Sequence, residues 1–473
     1  METARNIMAA LAAAGHEAYI VGGAVRDLLR GVPPVDIDIA TSAVPERIAG
    51  IAEKQGWKAV MVGAAFGVVA VVAAGHSYEI ATFRSERYGA DSHRPESVEL
   101  GVGLAQDLAR RDFTINAMAL AADGSVIDLF GGREDLAAGI IRAVGAPRER
   151  FAEDGLRMFR AARFAARFNF TLEAATFQAI TDNLERVSGL SVERVRNELE
   201  KILLADFAAQ GLDILLKAGL LAVCCQMRNQ KQVQAVPILP ELCHLDGLPQ
   251  NPRYHLYDAW RHTLDVVGLA PCDPVLRWAA LLHDIAKGWP GVRTVNGEGQ
   301  PSDPGHDKVG AEAAAIILRR LRVERHTAER VVWLIRHHLI FPAVAEKAVL
   351  KWLKRLIGGF KSQGQFETAL WQLFALHEAD RLGGHTQPDC NGLYAVKEIT
   401  RTILSEIPFF PEQLALSARD IAAKLGSGPE VGRFQQNLLL RIQAGQLLNE
   451  PVALTAALNA RGQRLAKKQE ECL

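Results

Sequence analysis

Asp36 and Asp38, two residues apart in Val35-Asp36-Ile37-Asp38-Ile39-Ala40, are the first side chains of the chain whose spacing can do chemistry. The β-branched run predicts a strand, in which alternate residues share a face. Both carboxylates then point one way, while Val35, Ile37 and Ile39 point into a core. Two carboxylates on one face offer hard oxygen ligands suited to Mg²⁺. Paired metals there would activate a hydroxyl nucleophile and stabilise a leaving pyrophosphate, the chemistry of nucleotidyl transfer. Just upstream, Gly22-Gly23 ends one predicted strand and leads into a helix, so main-chain N–H groups can meet a phosphate, with Arg26 one turn inside. A solvated strand face explains a bare Asp-x-Asp well, but explains the pair with its glycine turn poorly.

Two further clusters could hold a nucleotide. In Arg110-Arg111-Asp112-Phe113-Thr114-Ile115-Asn116-Ala117-Met118-Ala119 the adjacent arginines can bind a triphosphate, and Asp112 or Asn116 a ribose hydroxyl. A solvated helix start accounts for this cluster equally well when it is taken alone. In Glu153 to Phe164 a helix would place Glu153, Arg157 and Arg160 one turn apart beside Asp154, with Arg163 and Arg167 extending the basic face. Carboxylate and guanidinium together supply the acceptors and donors needed to read a base edge. By itself such a helix reads as a salt-bridged face.

Ten of the thirteen histidines fall between His244 and His385, an enrichment that helix composition does not explain. They include His262, His283 beside Asp284, His306 and the pair His337-His338, with Asp380 further on. Imidazoles and carboxylates from several helices can close around a divalent transition metal and leave a water position open.

Several kinds of element must position these groups. Ala18–Val21, Val35–Ala40, Ala59–Val62, Val68–Ala73, Tyr78–Phe83 and Val126–Leu129 read as strands alternating with helices. Beyond about Arg142 the period is helical, for example over Phe151–Phe168, Val192–Leu204, Ala311–Leu321 and Thr327–Leu339. Val236–Pro252 reads as a linker, Gly291–Gly305 as a surface loop, and a helical tail follows Gln387. The 473 residues suit about three domains, and 49% hydrophobic with 23% charged content excludes a disordered chain. Fifty-four basic residues balance fifty-four acidic ones, so a polyanionic partner must be held by a local patch. The Val-rich run Ala59–Gly75 is too short to span a membrane, the N-terminus lacks signal-peptide character, and the six cysteines show no CxxC spacing. Reduced thiols and a cytoplasmic location are expected.

The first 200 residues closely resemble a family. Gly22 to Asp27, Asp36/Asp38, Arg110 to Ala119, Gly131-Gly132-Arg133-Glu134-Asp135-Leu136 running to Arg142, Glu153 to Arg163 and Ser191-Val192-Glu193-Arg194 follow one another as in class II tRNA nucleotidyltransferases. These are the CCA-adding enzymes, grouped with bacterial poly(A) polymerases. The resemblance implies an α+β multidomain chain: a nucleotidyltransferase head with a mixed β-sheet (1–141), a helical RNA-binding neck (142–235), an HD body (236–386) and a helical tail contacting tRNA (387–473). It implies Asp36 and Asp38 as catalytic Mg²⁺ ligands, Gly23, Arg26, Arg111 and Asp112 around triphosphate and ribose, Asp154 and Arg157 reading the incoming C or A, and Arg160 and Arg163 supporting the pocket. Arg84–His93 matches the loop that family members use to switch from C to A addition. His283-Asp284 in Leu281–Lys287 resembles an HD-type metal phosphohydrolase, implying His262, His283, Asp284 and Asp380 as primary ligands and His306, His337 and His338 for a second metal or phosphate. The implied activity is template-independent addition of CCA to the tRNA 3′ end from CTP and ATP, with removal of a 2′,3′-cyclic phosphate as the HD reaction. Addition of A alone and poly(A) synthesis stay open. Intact Asp36 and Asp38 argue against two other classes, an HD phosphohydrolase with a degenerate head and a non-catalytic RNA-binding protein.

Overall fold

Short β-branched runs separated by glycine turns build the head. The computed structural model describes residues 1–63, 66–88, 95–229, 232–384 and 389–470. Among the described residues nine strands lie in the head: β1 Ala18–Val21, β2 Asp38–Thr41, β3 Lys58–Gly63, β4 Val68–Ala73, β5 His76–Thr82, β6 Arg84–Tyr88, β7 Pro95–Leu100, β8 Met118–Leu120 and β9 Val126–Asp128. Seven form one sheet in the order β3-β4-β5-β2-β1-β8-β9, while β6 and β7 make a separate hairpin. β2 and β5 pair parallel and the other sheet neighbours pair antiparallel, so the sheet is mixed as expected. Ile20, Ile39, Val69, Val71 and Ile80 pack one face against Ile7, Leu11 and Ile48 of the covering helices. Val21, Ala40 and Ala119 pack the other against Phe83 and Leu108.

Several expected boundaries move. The strand predicted over Val35–Ala40 begins only at Asp38, and Val35, expected in the core, is 90% exposed. Pro33 and Pro34 remove main-chain donors, and β1 ends opposite Asp38 because Gly22 turns the chain away. Arg110 and Arg111 follow a helix instead of starting one: Leu104–Ala109 ends there, and a 3₁₀ turn over Thr114–Asn116 leads into β8. The helix expected over Phe151–Phe168 is broken. Pro147–Glu153 stops at Asp154, whose backbone is extended, and Leu156–Phe168 restarts after Gly155. The switch-loop match Arg84–His93 coincides with β6 at its start, and its residues 89–93 lie outside the described residues.

The body follows the helical period, with two hairpins added at Cys224–Pro237 and Thr294–Ser302. The predicted linker Val236–Pro252 is in part core, since Ile238, Leu239, Leu242 and Leu245 are fully buried. One hydrophobic cluster runs from Phe113 through the neck and body to Phe410, taking in the start of the expected tail at 387–410, and a separate one holds the rest, from Leu414 to Leu458. No helix among the described residues is long and apolar enough to cross a membrane.

Candidate active site and metal centre

The glycine turn and the carboxylates meet because β1 and β2 are neighbours: Val21, the last residue before the turn, pairs with Asp38. Gly22 has φ +71°, a conformation that strains an L side chain, and a Cβ there would lie 2.8 Å from Nη1 of Arg111, which would have to move. On the other side of β2, Asp38 is in register with Glu79 of β5. Desolvation first, then the Glu79 and Asp36 carboxylates, push the Asp38 carboxyl above its usual value, against the opposing pull of Arg111. Carboxylate oxygens crowded round Asp38 are a donor set that fits Mg²⁺, since a divalent cation relieves the repulsion. Glu79 escaped the sequence reading. A charge inside Tyr78-Glu79-Ile80 was the signal, but only strand register places it beside Asp38.

A cavity of about 460 Å³ opens next to this turn. Its walls bring together Gly23, Arg26, Asp38, Arg111, Asp112, Asp154, Arg157, Arg160 and Arg163, with eight arginines in all. Asp36, exposed at the bend before β2, is the one head residue expected at the site that stands outside this wall. Many of these side chains hold one another. Arg160 donates to Oδ2 of Asp112 from Nε (2.8 Å) and from Nη2. Asn116 and the Phe113 N–H donate to Asp112 Oδ1 at 3.1 and 2.8 Å. Burial alone would raise the Asp112 carboxyl, but Arg160 and Asn116 outweigh it and bring it down to about 2. Arg26 donates to Asn116 at 2.6 Å and to Asp27 at 2.9 Å, and its guanidinium lies 4.7 Å from the Phe168 ring, joining head to neck. Arg163 pairs with Glu198 at 2.9 Å.

The break before Leu156 sets the two expected base readers. Asp154 accepts from the Leu156 N–H at 3.0 Å and pairs with Arg194 at 3.3 Å. Arg157 donates to Glu153 at 2.5 Å and to the carbonyls of Arg150 and Arg110 at 3.1 and 3.0 Å. A guanidinium fixed this way is a rigid wall whose remaining surface faces the cavity.

The histidines converge in the body. His262 lies on the helix Ala259–Leu269, and the helix Pro274–Leu282 stops just before His283, which was expected within it. His306 begins the helix His306–Arg320, His338 caps Arg325–His337, and Asp380 lies on Gln363–Gly384. His262 Nε2 is 3.3 Å from His283 Nε2 and 3.0 Å from Asp380 Oδ1, and His283 Nε2 is 3.2 Å from Asp284 Oδ2. On the other oxygen, Asp284 Oδ1 lies 3.0 Å from His306 Nε2 and 3.9 Å from His338 Nε2. All four primary ligands expected here therefore meet. His337 does not join them: one position from His338 its side chain diverges, and its ring packs 4.9 Å from that of Trp333.

The tautomers follow from the main chain. Nδ1 of His262, His283, His306 and His338 lies 3.2, 2.8, 2.6 and 2.6 Å from the carbonyls of Gly383, Ala280, Asp303 and Ile335. A carbonyl only accepts, so Nδ1 carries a proton and Nε2 faces the cluster, the orientation metal-binding histidines need. Burial opposes charge on His283, yet Asp284 and Asp380 raise it to about 10. Asp284, despite burial, is held well below the ordinary carboxylate range by His283 and Lys287. Buried carboxylates that demand positive charge, ringed by imidazole Nε2 atoms whose proton an ion would replace, fit a divalent transition metal. The adjoining cavity, about 250 Å³, adds Gln250, Tyr254, His255 and Lys287.

A glycine turn on a mixed sheet, facing carboxylates across an arginine-lined cavity, defines a nucleotidyltransferase head, here carried with an HD domain. Residues 18–142 match the Poly A polymerase head domain, 169–225 the probable RNA and SrmB-binding site of polymerase A, and 262–359 the HD domain. Together these matches describe a polymerase head, part of the neck behind it and an HD body. It is 44% identical over 240 residues to the CCA-adding enzyme of Lactiplantibacillus plantarum, covering 50% of this chain and 58% of that protein. It is 47% identical over 219 residues to that of Geobacillus stearothermophilus, covering 46% and 53%. The chain thus spans little more than half the length of these curated relatives. The crystal structure of the Bacillus stearothermophilus CCA-adding enzyme in complex with CTP is similar over 99% of this chain and 98% of its own, with TM-score 0.68 and 28% identity. The Thermotoga maritima CCA-adding enzyme complexed with tRNA shares the fold, with TM-score 0.59 and 20% identity, over 97% and 95%.

Proposed function

We propose that this chain adds C, C and A to the 3′ end of tRNA from CTP and ATP without a nucleic-acid template. The observation that carries the reading is the cavity beside Asp38, where arginines for a triphosphate and a fixed carboxylate–guanidinium pair for a base line one wall. In the reaction the RNA 3′-oxygen bonds to the α-phosphorus, the bond to the pyrophosphate oxygen breaks, and the hydroxyl proton is lost. Mg²⁺ held by Asp36 and Asp38, with Glu79 alongside, would acidify that hydroxyl and stabilise the leaving charge. Gly22 and Gly23 offer close main-chain approach, Arg26 and Arg111 neutralise the triphosphate, and Asp112 holds Arg160 in place. Asp154 and Arg157 would face the base edge, so the protein serves as the template. The tail would contact the tRNA, and the free thiols are compatible with work in the cytoplasm.

The test is incubation of the purified protein with tRNAs ending before CCA, after C and after CC, with CTP and ATP supplied separately and together. Extension of every acceptor to CCA supports the reading. Extension of the CC-ended acceptor alone makes the protein A-adding, and long A tails make it a poly(A) polymerase. A second reading rests on the body: the convergence of His262, His283, Asp284 and Asp380 supports a metal-dependent phosphoesterase. The bound metal would polarise a phosphoryl oxygen and lower the pKa of water. Its substrate in this reading is a 2′,3′-cyclic phosphate on a damaged RNA end, whose opening precedes recovery of the free hydroxyl that the head requires.

A further inference from the structure

Two tyrosines beside the histidine cluster are left unused by either activity. Tyr254 lines the HD cavity and is 55% exposed, and Tyr257, 50% exposed, lines an adjoining groove of about 410 Å³ with Leu256, Leu264, Leu269 and Leu382. Each ring has a guanidinium beside it: Arg253 at 5.7 Å from the Tyr254 centroid and Arg261 at 5.8 Å from that of Tyr257. The segment carrying them is held firmly. Asn251 accepts from the N–H groups of Arg253, Tyr254 and His255 at 2.9, 3.0 and 3.1 Å, and the Leu256 N–H donates to the Gly384 carbonyl at 3.2 Å. At Gly384 a Cβ would come within 3.1 Å of the Tyr254 carbonyl, so loop and helix end are in close contact. A fixed backbone that leaves two aromatic rings in water, each paired with a cation, is what sequence-tolerant stacking of unpaired nucleotides requires. One exposed tyrosine would need no explanation. Here two stand three residues apart on one loop, Tyr257 on an apolar groove and Tyr254 on the cavity that holds Lys287, His255 and the histidine–carboxylate cluster.

We propose that Tyr254 and Tyr257 form a two-step stacking platform that lays the single-stranded end of an RNA across the groove and delivers its terminal ribose phosphate to the HD cavity. The proposal rests on the reading of that cavity as a phosphoesterase. The cavity's 250 Å³ is room for one ribose phosphate and not for a duplex, so selection falls on an unpaired end. Tyr254 stacks the terminal base, Tyr257 the one before it, and Lys287, which lines the cavity, faces the phosphate. In hydrolysis the water oxygen bonds to phosphorus, one phosphorus–ribose oxygen bond breaks, and the released ribose oxygen takes up a proton.

The experiment compares full-length wild type, Tyr254→Ala, Tyr257→Ala and the Phe and Trp variants at each position, all loaded with Mn²⁺. Three substrates are used: an oligoribonucleotide ending in a 2′,3′-cyclic phosphate, a 2′,3′-cyclic mononucleotide and bis(p-nitrophenyl) phosphate. The expected result is a fall of about 10-fold or more in kcat/KM for the oligonucleotide, relative to the chromogenic diester, in each Ala variant. The aromatic variants restore it. The mononucleotide loses only with Tyr254→Ala, which separates an RNA end from a free nucleotide as the ligand. A second readout needs no metal: 2-aminopurine next to the 3′ end of the oligonucleotide should be quenched on binding by wild type and less so by Tyr257→Ala. Unchanged substrate ratios, or equal losses on all three substrates, overturn the platform while leaving the phosphoesterase. A wild type that hydrolyses none of them removes the phosphoesterase reading and the platform with it.

Discussion

At the residue scale, charge decides most outcomes. Asp36→Ala or Asp38→Ala should reduce nucleotide incorporation by orders of magnitude while tRNA binding and thermal unfolding stay close to wild type, because the loss is of metal ligands near the surface. Incorporation within a few-fold of wild type would remove the head assignment. Asp154→Ala should blur discrimination of C and A against U and G by about 1 to 3 kcal/mol, read as kcat/KM ratios for the four nucleotides. Arg157→Ala should do the same but also destabilise, since that guanidinium serves Glu153 and two carbonyls. A uniform rate loss with discrimination kept would make both residues structural. Asp112 gives a pH signature. Its carboxyl is depressed from 3.8 to about 2, so its pairing contributes roughly 2 kcal/mol that is present above 3.8 and lost as pH falls through about 2. Asp112→Asn should lower stability at neutral pH and flatten the acid limb of the unfolding profile. An acid limb identical to wild type would show that Arg160 gains nothing from this carboxylate.

At the element scale, turns and helix ends place the chemistry. Gly22→Ala puts a methyl 2.8 Å from the Arg111 guanidinium at a φ of +71°, and such backbone strain costs about 1 to 3 kcal/mol. It should raise KM for CTP and ATP together and lower Tm. A variant with wild-type KM for both would mean that Arg111 moves aside freely. The same logic explains two boundaries that alternation and helical period missed. Asp154 is available to the cavity because the helix breaks at Gly155, and a Cβ there would lie 3.0 Å from the Arg186 carbonyl, so the break is fixed by neighbour packing. His283 caps its helix with helical backbone angles, so it and Asp284 reach one cluster because His262 and Asp380 close on both of them from other helices.

At the scale of the whole molecule, the division of the core sets what can be removed. One hydrophobic cluster joins neck and body from Phe113 to Phe410, whereas the tail has its own, from Leu414 to Leu458. A chain ending at residue 410 should keep the circular dichroism and Tm of the rest but bind tRNA about 10-fold or more weakly, because the tail carries a groove of Arg433, Arg441, Arg461 and Arg464 suited to phosphates. Unchanged tRNA affinity would sink the tail contact. The head and HD cavities share no lining residue, so Asp284→Ala should lose bound transition metal, measured by elemental analysis, and cyclic-phosphate hydrolysis, while the head continues to add nucleotides to intact tRNA. Wild-type protein that binds no transition metal would leave the HD body as scaffolding.

Residue type and local spacing were enough to point to the carboxylate pair, the glycine turn, the arginine clusters and His283-Asp284, because those signals lie within a turn or a strand of one another. Most of the strands were equally legible, since alternation is a local consequence of one buried face, whereas the mixed sheet was implied by the family resemblance. Tertiary structure alone decided that Glu79 sits beside Asp38, that Val35 leaves the core, that His338 and not His337 joins the histidine–carboxylate cluster, and that Ile238–Leu245 is core. Each of these depends on which element packs against which. Strand register, a helix end or the approach of a distant carbonyl is fixed by contacts far apart in sequence, and a local pattern carries no record of them.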